Sequence, residues 1–409
     1  MKFDESLLYN IKSDYQGIRY SLFDLAIWKN GLAFKKIYFS DKGLPVIKIA
    51  ELNNGISSNT SFTQGDYGKE VFVQWDDLLF SWSGNPQTSI DVFRYRLPDG
   101  WLNQHIFKVT ANSELVTKDF LYYTLKYLKP YFTQIATNKQ TTGLGHVTIA
   151  DLKRMSVVIP KKEIQEQVTS ILKVIDDKIE VNSNINENLN KQIESILLSM
   201  FSSAKTDCVR LGDYLYIKGR IGWKGLKKDE YLDQSKYRII NGESLTKSGV
   251  DWLKAGYISK NRYIESPEIM LKEGDILLSK DGTIGKIGYI DSLETPATVA
   301  SGIFVIRNIK PEIISTTFIY YLLKSRLFKG FIAARTEGSV IPHLYQKDFM
   351  QFEFPLPSSD EMKAFDAITK PMFSMIIGNL QENQKLSRLR DELLPKLMSG
   401  EIDISITDL

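Results

Sequence analysis

EIQEQVTSILKVIDDKIEVNSNINENLNKQIESILLSM, residues 163–200, carries apolar side chains at Val168, Ile171 and Ile175 and again at Leu189, Ile193, Ile196 and Met200. Steps of three and four residues within each run place them on one face of a helix, a heptad-like stripe. At 1.5 Å per residue such a helix is about 57 Å long, too long to be buried inside one small domain. The pattern returns 197 residues later as Phe365, Ile368 and Met372, then Leu386, Leu389, Leu393 and Leu397. Two long helices therefore organise the chain.

The segments outside the helices repeat as well. Asp77-Leu-Leu-Phe-Ser-Trp-Ser-Gly84 aligns with Asp275-Ile-Leu-Leu-Ser-Lys-Asp-Gly282, and Phe120-Leu-Tyr-Tyr123 with Phe318-Ile-Tyr-Tyr321, both at an offset of 198. Gly143-Leu-Gly-His146 faces Val340-Ile-Pro-His343, Asp151-Leu152 faces Asp348-Phe349, and Pro160 faces Pro357, all at 197. A near-constant offset over such a span marks a duplication rather than a chain of short repeats. The order is globule, helix, globule, helix, with boundaries at 1–160, 161–205, 206–357 and 358–409. Fold class is α+β: two pseudo-repeated mixed α/β globules separated by two long helices that pair as an antiparallel coiled coil. Asn182 and Asn379 fall on the stripes near mid-helix, 197 residues apart. About a pseudo-twofold axis they would meet, and polar residues in an apolar seam set register at a cost in stability. The alternative is that this Asn-rich stretch is a surface face.

Length and composition bound the rest. A chain of 409 residues, 43% hydrophobic and 25% charged, is ordinary for two or three globular domains. No apolar run is long enough for a membrane span, and the start, MKFDESLLYNIKSDY, lacks a signal-peptide layout, so the expected location is the cytoplasm. The single cysteine, Cys208, excludes an internal disulfide framework. Net charge is +3, unevenly spread: Lys and Arg exceed Asp and Glu by three in 1–160 and by five in 208–357, while acids exceed by two in 161–207 and by three in 358–409. The globules suit a polyanion and the helices suit protein partners.

Within the globules, Pro45–Ala50, Tyr237–Asn241, Ile106–Val109, Ile284–Asp291 and Thr298–Arg307 read as strands, and the Asp77 and Asp275 segments as strands ending in Gly turns. Phe120–Leu128 and Phe318–Leu327 have helical spacing. Polar turns follow at Asn138–Gly143 and Arg335–Gly338. Short strands at Met155–Pro160 and Gln351–Pro357 lead into the long helices.

Catalytic motifs fail on inspection. Gly282-Thr-Ile-Gly-Lys286 has Lys280 where a phosphate loop needs its first Gly and Ile287 where it needs Ser or Thr, leaving a Gly-rich hairpin. Asn85-Pro-Gln-Thr88 lacks the second Pro and the aromatic of an amino-methyltransferase tetrapeptide. His105, His146 and His343 are too far apart, without Cys or acidic spacing, for a metal site. No cofactor is implied.

A nucleic acid is the better partner. Lys218-Gly-Arg-Ile-Gly-Trp-Lys-Gly-Leu-Lys-Lys228 mixes glycines with Lys218, Arg220, Lys224, Lys227 and Lys228, and Gly lets backbone approach phosphates that the cations neutralise. Lys35 and Lys36 occupy the matching place in the first globule, and Lys280 adds a cation in the second. Lys139, Gln140, Thr141 and Thr142, and Arg335 and Thr336, offer groups that read base edges or clasp phosphates. Ordinary surface polarity is the competing reading for all of them.

With these pieces placed, the chain resembles the specificity subunit of type I restriction–modification systems over essentially its whole length. The resemblance rests on the two globules at constant offset, the His146, Asp151-Leu152, Pro160 and His343, Asp348-Phe349, Pro357 runs, and Glu163-Ile-Gln-Glu-Gln167. Leu389-Arg-Asp-Glu-Leu-Leu-Pro-Lys-Leu-Met-Ser-Gly-Glu-Ile402 is its most specific piece. Asp360-Glu-Met-Lys-Ala364 departs by lacking the Glu-Gln pair, and Pro371 marks where the second helix would kink. The resemblance implies that each globule is a target recognition domain. The helices would be spacers that recruit two methyltransferase subunits, with motor and nuclease subunits joining for restriction. The chain would then be non-catalytic, reading two half-sites across a gap set by helix length. A free-standing DNA-binding regulator leaves the acidic helices without a role, and a coiled-coil scaffold leaves the two globules unexplained.

Overall fold

A computed structural model describes residues 13–35, 38–203, 208–221, 225–246, 249–336 and 343–402, with the side chains of Ser203 and Thr336 excepted. The chain divides into two compact units, one running to Ile179 and resuming at Lys385, the other Glu180–Gln384. Each holds one globule and portions of both long helices.

In the first unit Gly17–Ser21 pairs antiparallel with Ser156–Pro160, so the globule is closed next to where helix Lys162–Ser203 begins. Its central sheet is antiparallel, in the order Ala26–Asn30, Ile106–Ala111, Leu78–Ser81, Asp91–Arg94. Leu78–Ser81 is buried at every residue, which explains its unbroken run of large side chains. A second sheet contains a parallel pair, Leu44–Ile47 with Gly100–Leu102. Helices Lys118–Tyr127 and Lys129–Asn138 pack on the central sheet through Phe120, Tyr123 and Phe132. Val168, Leu172, Leu397 and Met398 of the long helices join that core.

The second unit repeats the plan. Cys208–Arg210 pairs with Glu353–Pro355. The central sheet runs Leu215–Gly219, Ile303–Asn308, Ile276–Ser279, Ile287–Tyr289, and Tyr237–Ile240 pairs parallel with Ala297–Val299. Even the caps repeat: Thr117 accepts from Phe120 N and Ser315 from Phe318 N, fixing the starts of Lys118–Tyr127 and Thr316–Lys324. The duplication thus extends to strand order.

Within each unit the long helices run antiparallel. In the first, Arg390 meets Asp176 at 3.1 Å. In the second, Asn182 Nδ2 donates to Glu382 at 2.7 Å and Asn383 at 2.9 Å, while Asn379 Nδ2 donates to Asn186 Oδ1 at 2.8 Å. The expected meeting of Asn182 with Asn379 is therefore corrected by one turn. Each pairs with the other's neighbour, and since Asn186 and Asn383 are themselves 197 apart, the two amide pairs are related by the repeat.

Several elements depart from the sequence reading. Ile368 and Leu389, assigned to the stripe, are 54% and 44% exposed, whereas Leu172, Leu197, Phe373 and Ile376 are buried. A straight helix drifts against a strict heptad, and each helix also serves a globule on a second face, so the buried stripe widens and shifts. Pro45–Ala50 is half strand, half helix: helix Ile49–Asn54 begins after Lys48, whose N–H donates to Glu51 Oε2 at 3.0 Å. Thr298–Arg307 is two strands, Ala297–Val299 and Ile303–Asn308. Lys129–Asn138 is a helix ahead of the expected turn, and Arg335 and Thr336 end helix Arg326–Thr336, with the rest of that turn, 337–338, outside the described residues. Helix Ser359–Ser399 is continuous through Pro371. The Gly282 segment is a hairpin turn, Ser279 N–H donating to Lys286 O at 2.9 Å.

Candidate nucleic-acid interface

One end of each central sheet gathers polar side chains on matching backbone. In the second unit Gly219, Phe304 and Leu278 stand abreast on three strands. Lys280 continues the Leu278 strand past Ser279, its N–H bonded to Gly302 O at 2.9 Å. Its ammonium lies 5.2 Å from the Phe304 ring centroid. A Cβ on Gly219 would come within 3.4 Å of Lys280 Cε, so the lysine stem crosses the Phe304 strand toward a point where the next strand over has no side chain. Asp281 follows, its Oδ1 bonded to His343 Nδ1. His343 packs against Tyr345 at 4.4 Å, and Tyr345 is 56% exposed.

The first unit builds the same frame from other chemistry. Trp82 stacks on Phe107 at 5.6 Å and donates from Nε1 to Asn30 Oδ1 at 3.0 Å. Ser83 Oγ bonds His146 Nδ1 at 3.0 Å, on strand partners His146 and Ser83. Trp82 and Lys280 are 198 residues apart, and Phe107 and Phe304, like His146 and His343, 197. One further substitution matters. Thr148 caps helix Ile149–Arg154 in a reciprocal box with Asp151, while Tyr345, its counterpart, begins Gln346–Phe349 with no side-chain cap. A missing cap costs roughly 1 kcal/mol. An exposed tyrosine in its place breaks a local rule, as residues under functional demand do.

The predicted contact residues divide. Gln140, Thr141 and Thr142 are exposed on a turn, Thr142 at φ 51°, that leads through Leu144 into the His146 strand. Lys218 is exposed next to Gly219 but on the other face of the strand, opposite Val305, its ammonium 6.0 Å from the Tyr216 ring centroid. Lys227 and Lys228 are exposed near Glu230, whose carboxylate accepts from Lys227 N. Arg335 is exposed with its guanidinium 3.6 Å from the Phe331 ring centroid. Lys35 is exposed beside Phe34, which meets Tyr67 edge-on. Lys36 and Lys224 lie outside the described residues, as does the side chain of Thr336.

Two expectations need correcting. Arg220 is 2% exposed, with Nε donating to Val299 O at 3.1 Å and the other nitrogens directed at Ser266 and Thr298. It holds strands together and cannot reach a phosphate; burial pulls its pKa down. Lys139 is committed to the buried Asp151, 2.6 Å from both carboxylate oxygens. Burial pushes that carboxyl up, but hydrogen bonds from Lys139 and Thr148 outweigh it and hold it below the usual carboxylate range. Sequence reasoning passed over Trp82, His146, His343 and Tyr345 as DNA contacts, weighing the histidines as metal ligands and as markers of the repeat. The signal that finds them is their constant offset next to aromatic or charged neighbours.

Among the described residues no helix is long and apolar enough to cross a membrane. The type I restriction modification DNA specificity domain matches twice, at residues 19–191 and 206–386, together well over half the chain. The MjaVIII specificity subunit of Methanocaldococcus jannaschii is 24% identical over 385 residues, 88% of this chain and 86% of that one. The HindI specificity subunit of Haemophilus influenzae is 22% identical, covering 76% and 84%. The S subunit of a type I restriction–modification system from M. genitalium shares the fold, with a TM-score of 0.53 at 19% identity over 94% of this chain and 96% of that one. Two globules of one topology, each carrying this domain, place the chain in the family of type I restriction–modification DNA specificity subunits.

Proposed function

We propose that the two domains read two different half-sites of one double-stranded DNA target, and that the chain delivers methyltransferase and motor/nuclease subunits to it. The observation that carries this is the pair of matched sheet ends, identical in backbone frame and unlike in chemistry. One scaffold used twice with different side chains is what a two-part target requires, since base edges are distinguished by donor and acceptor placement. Lys35, Lys218, Lys227, Lys228 and Arg335 serve as phosphate contacts, with Gln140, Thr141 and Thr142 reaching toward the first half-site. The acidic helices dock two methyltransferase subunits in the cytoplasm, and the chain itself performs no reaction.

Selection from a random duplex library tests the reading, using the full chain with the methyltransferase subunits of its own system. The expected result is one motif in two parts separated by unspecified bases, methylated by the assembly and not by the chain alone. A single uninterrupted motif, or methylation by the chain alone with S-adenosylmethionine, would overturn it. Replacing Lys227 and Lys228 by Ala should weaken binding to all sequences alike and reduce the salt slope by about 2.

A further inference from the structure

Lys280 and Asp281 present a cation and a carboxylate on consecutive residues at the end of a central strand. Both are held. The ammonium lies over Phe304 and the stem passes Gly219. Asp281 is fixed through Oδ1 by His343, which leaves Oδ2 as an acceptor, and its side chain is 40% exposed. A phosphate offers acceptors and negative charge, so a carboxylate next to the lysine works against a backbone contact there. A G·C pair in the major groove is complementary: guanine O6 and N7 accept, and cytosine N4 donates.

We propose that the Lys280–Asp281 step is a base-reading site for a G·C pair in the half-site of the second domain. Lys280 donates to guanine, and Asp281 accepts from a cytosine amino group. His343 is a positioning residue that orients the carboxylate. Tyr345, uncapped and exposed beside His343, borders the site. The first domain has Trp82 and Ser83 at these places, both uncharged, so its half-site carries no such requirement at the matching position. This assignment rests on the two-half-site reading above and adds the chemistry of one position.

The test is binding-site selection with the full chain and its methyltransferase subunits, comparing wild type with Lys280→Ala, Lys280→Gln, Asp281→Asn and Trp82→Phe. The expected result is one G·C position in one half-site whose preference falls roughly tenfold or more in Lys280→Ala, with the other half-site unchanged. Asp281→Asn should weaken the same position, and Trp82→Phe should leave it intact. Equal loss of affinity for every sequence in Lys280→Ala would make Lys280 a phosphate contact and overturn the proposal. So would an unchanged motif in a folded variant, or a change in both half-sites. Absence of any two-part motif in the wild type would instead sink the parent reading. Lys280→Gln keeps a hydrogen-bond donor on a side chain one atom shorter and without charge; if it melts with wild type and still loses the G·C preference, misfolding is excluded as the cause.

Discussion

Tyr123 and Tyr321 stand 198 residues apart, each on the helix that packs its globule against the long helices, and they meet different neighbours. Tyr123 donates to Asp176 Oδ2 at 2.8 Å, and the other oxygen of Asp176 accepts from Arg390 at 3.1 Å. Arg94 lies 4.5 Å from the Tyr122 ring centroid and pairs with Asp119, and Lys126 pairs with Asp91. In the second unit Phe373 takes the place of Asp176, and buried Ile193 the place of Arg390, each at an offset of 197. Phe373 is ringed by Tyr289 at 5.0 Å, Tyr320 at 5.1 Å and Tyr321 at 5.9 Å. The ionic seam leaves a cavity of about 290 Å³ lined by Tyr122, Lys126, Lys129, Asp176 and Arg390. The aromatic seam leaves about 30 Å³ beside Tyr289 and Tyr320. The fold therefore requires only that this contact be satisfied, by directional ion pairs with room for water or by dense ring packing.

If the two seams are distinct solutions, their parts should not be exchangeable. Phe373→Asp would set an unpaired carboxylate among three tyrosines and lose the ring packing of a side chain that is 7% exposed. Loss of a buried ring alone costs about 3–5 kcal/mol, and desolvating the charge adds to it. Unfolding of the variant should therefore show the largest loss of any substitution in either seam. A shift under about 1 kcal/mol would mean that the aromatic cluster can rebuild itself as the ionic one.

A smaller effect is expected at the counterpart. Asp176→Ala strips the Tyr123 hydroxyl and the Arg390 guanidinium of one partner each, but Asp176 is 24% and Arg390 31% exposed, so water can replace part of what is lost. The expected cost is about 1–2 kcal/mol. A double-mutant cycle with Arg390→Ala should give a coupling of about 1 kcal/mol, and Phe373→Ala combined with Asp176→Ala should be additive. Zero coupling between Asp176 and Arg390 would show the pair to be incidental to this seam.

How much of this could be read beforehand follows from what repeats. The 197–198 offset was visible because it is a property of residue order, and it carried the two globules and both long helices with it, though not the order of strands inside each globule. The seams were not visible, because they depend on which faces of a long helix a globule covers. Ile368 and Leu389 satisfy the heptad yet face outward, while Phe373, one residue past the stripe position Met372, is buried. Arg220 illustrates the same limit at the candidate site. Its neighbours Lys218 and Gly219 made it look like part of a basic loop, but it lies one residue past strand Leu215–Gly219, out of phase with the buried Leu215 and Ile217, and is buried because its guanidinium is used by Val299, Ser266 and Thr298, which composition alone cannot show. Lys139 was legible as a polar-turn residue, and its partner Asp151 lies 12 positions on, where only tertiary structure brings the two together.

The weakest effect should appear as a pH slope at Lys324, the counterpart of Lys126. Lys126 has the Asp91 carboxylate, whereas Lys324 donates to the Asn190 amide at 3.0 Å beside the Tyr320 and Tyr321 rings. Burial, with Lys329 nearby, pushes the Lys324 pKa down to about 8, against a weaker pull upward from Glu194. In the unfolded chain a lysine titrates near 10.4. Below about pH 8 both states carry the proton, and the folded state bears the full cost of a poorly solvated charge. Between about pH 8 and 10.4 the unfolded state binds more protons than the folded one, so this group makes stability rise with pH. The neighbouring Tyr320 hydroxyl is itself pushed up, to about 12, by burial, so it stays protonated across the lower part of that window. Wild type minus Lys324→Met, followed by thermal unfolding from pH 7.5 to 9.5, should therefore show a difference in melting temperature that grows in favour of wild type as pH rises. Lys126→Met, which breaks an ion pair and leaves Lys324 in place, should lower stability and keep the slope. If the slope survives in Lys324→Met, the aromatic seam holds its lysine with no penalty, and the two seams are electrostatically equivalent after all.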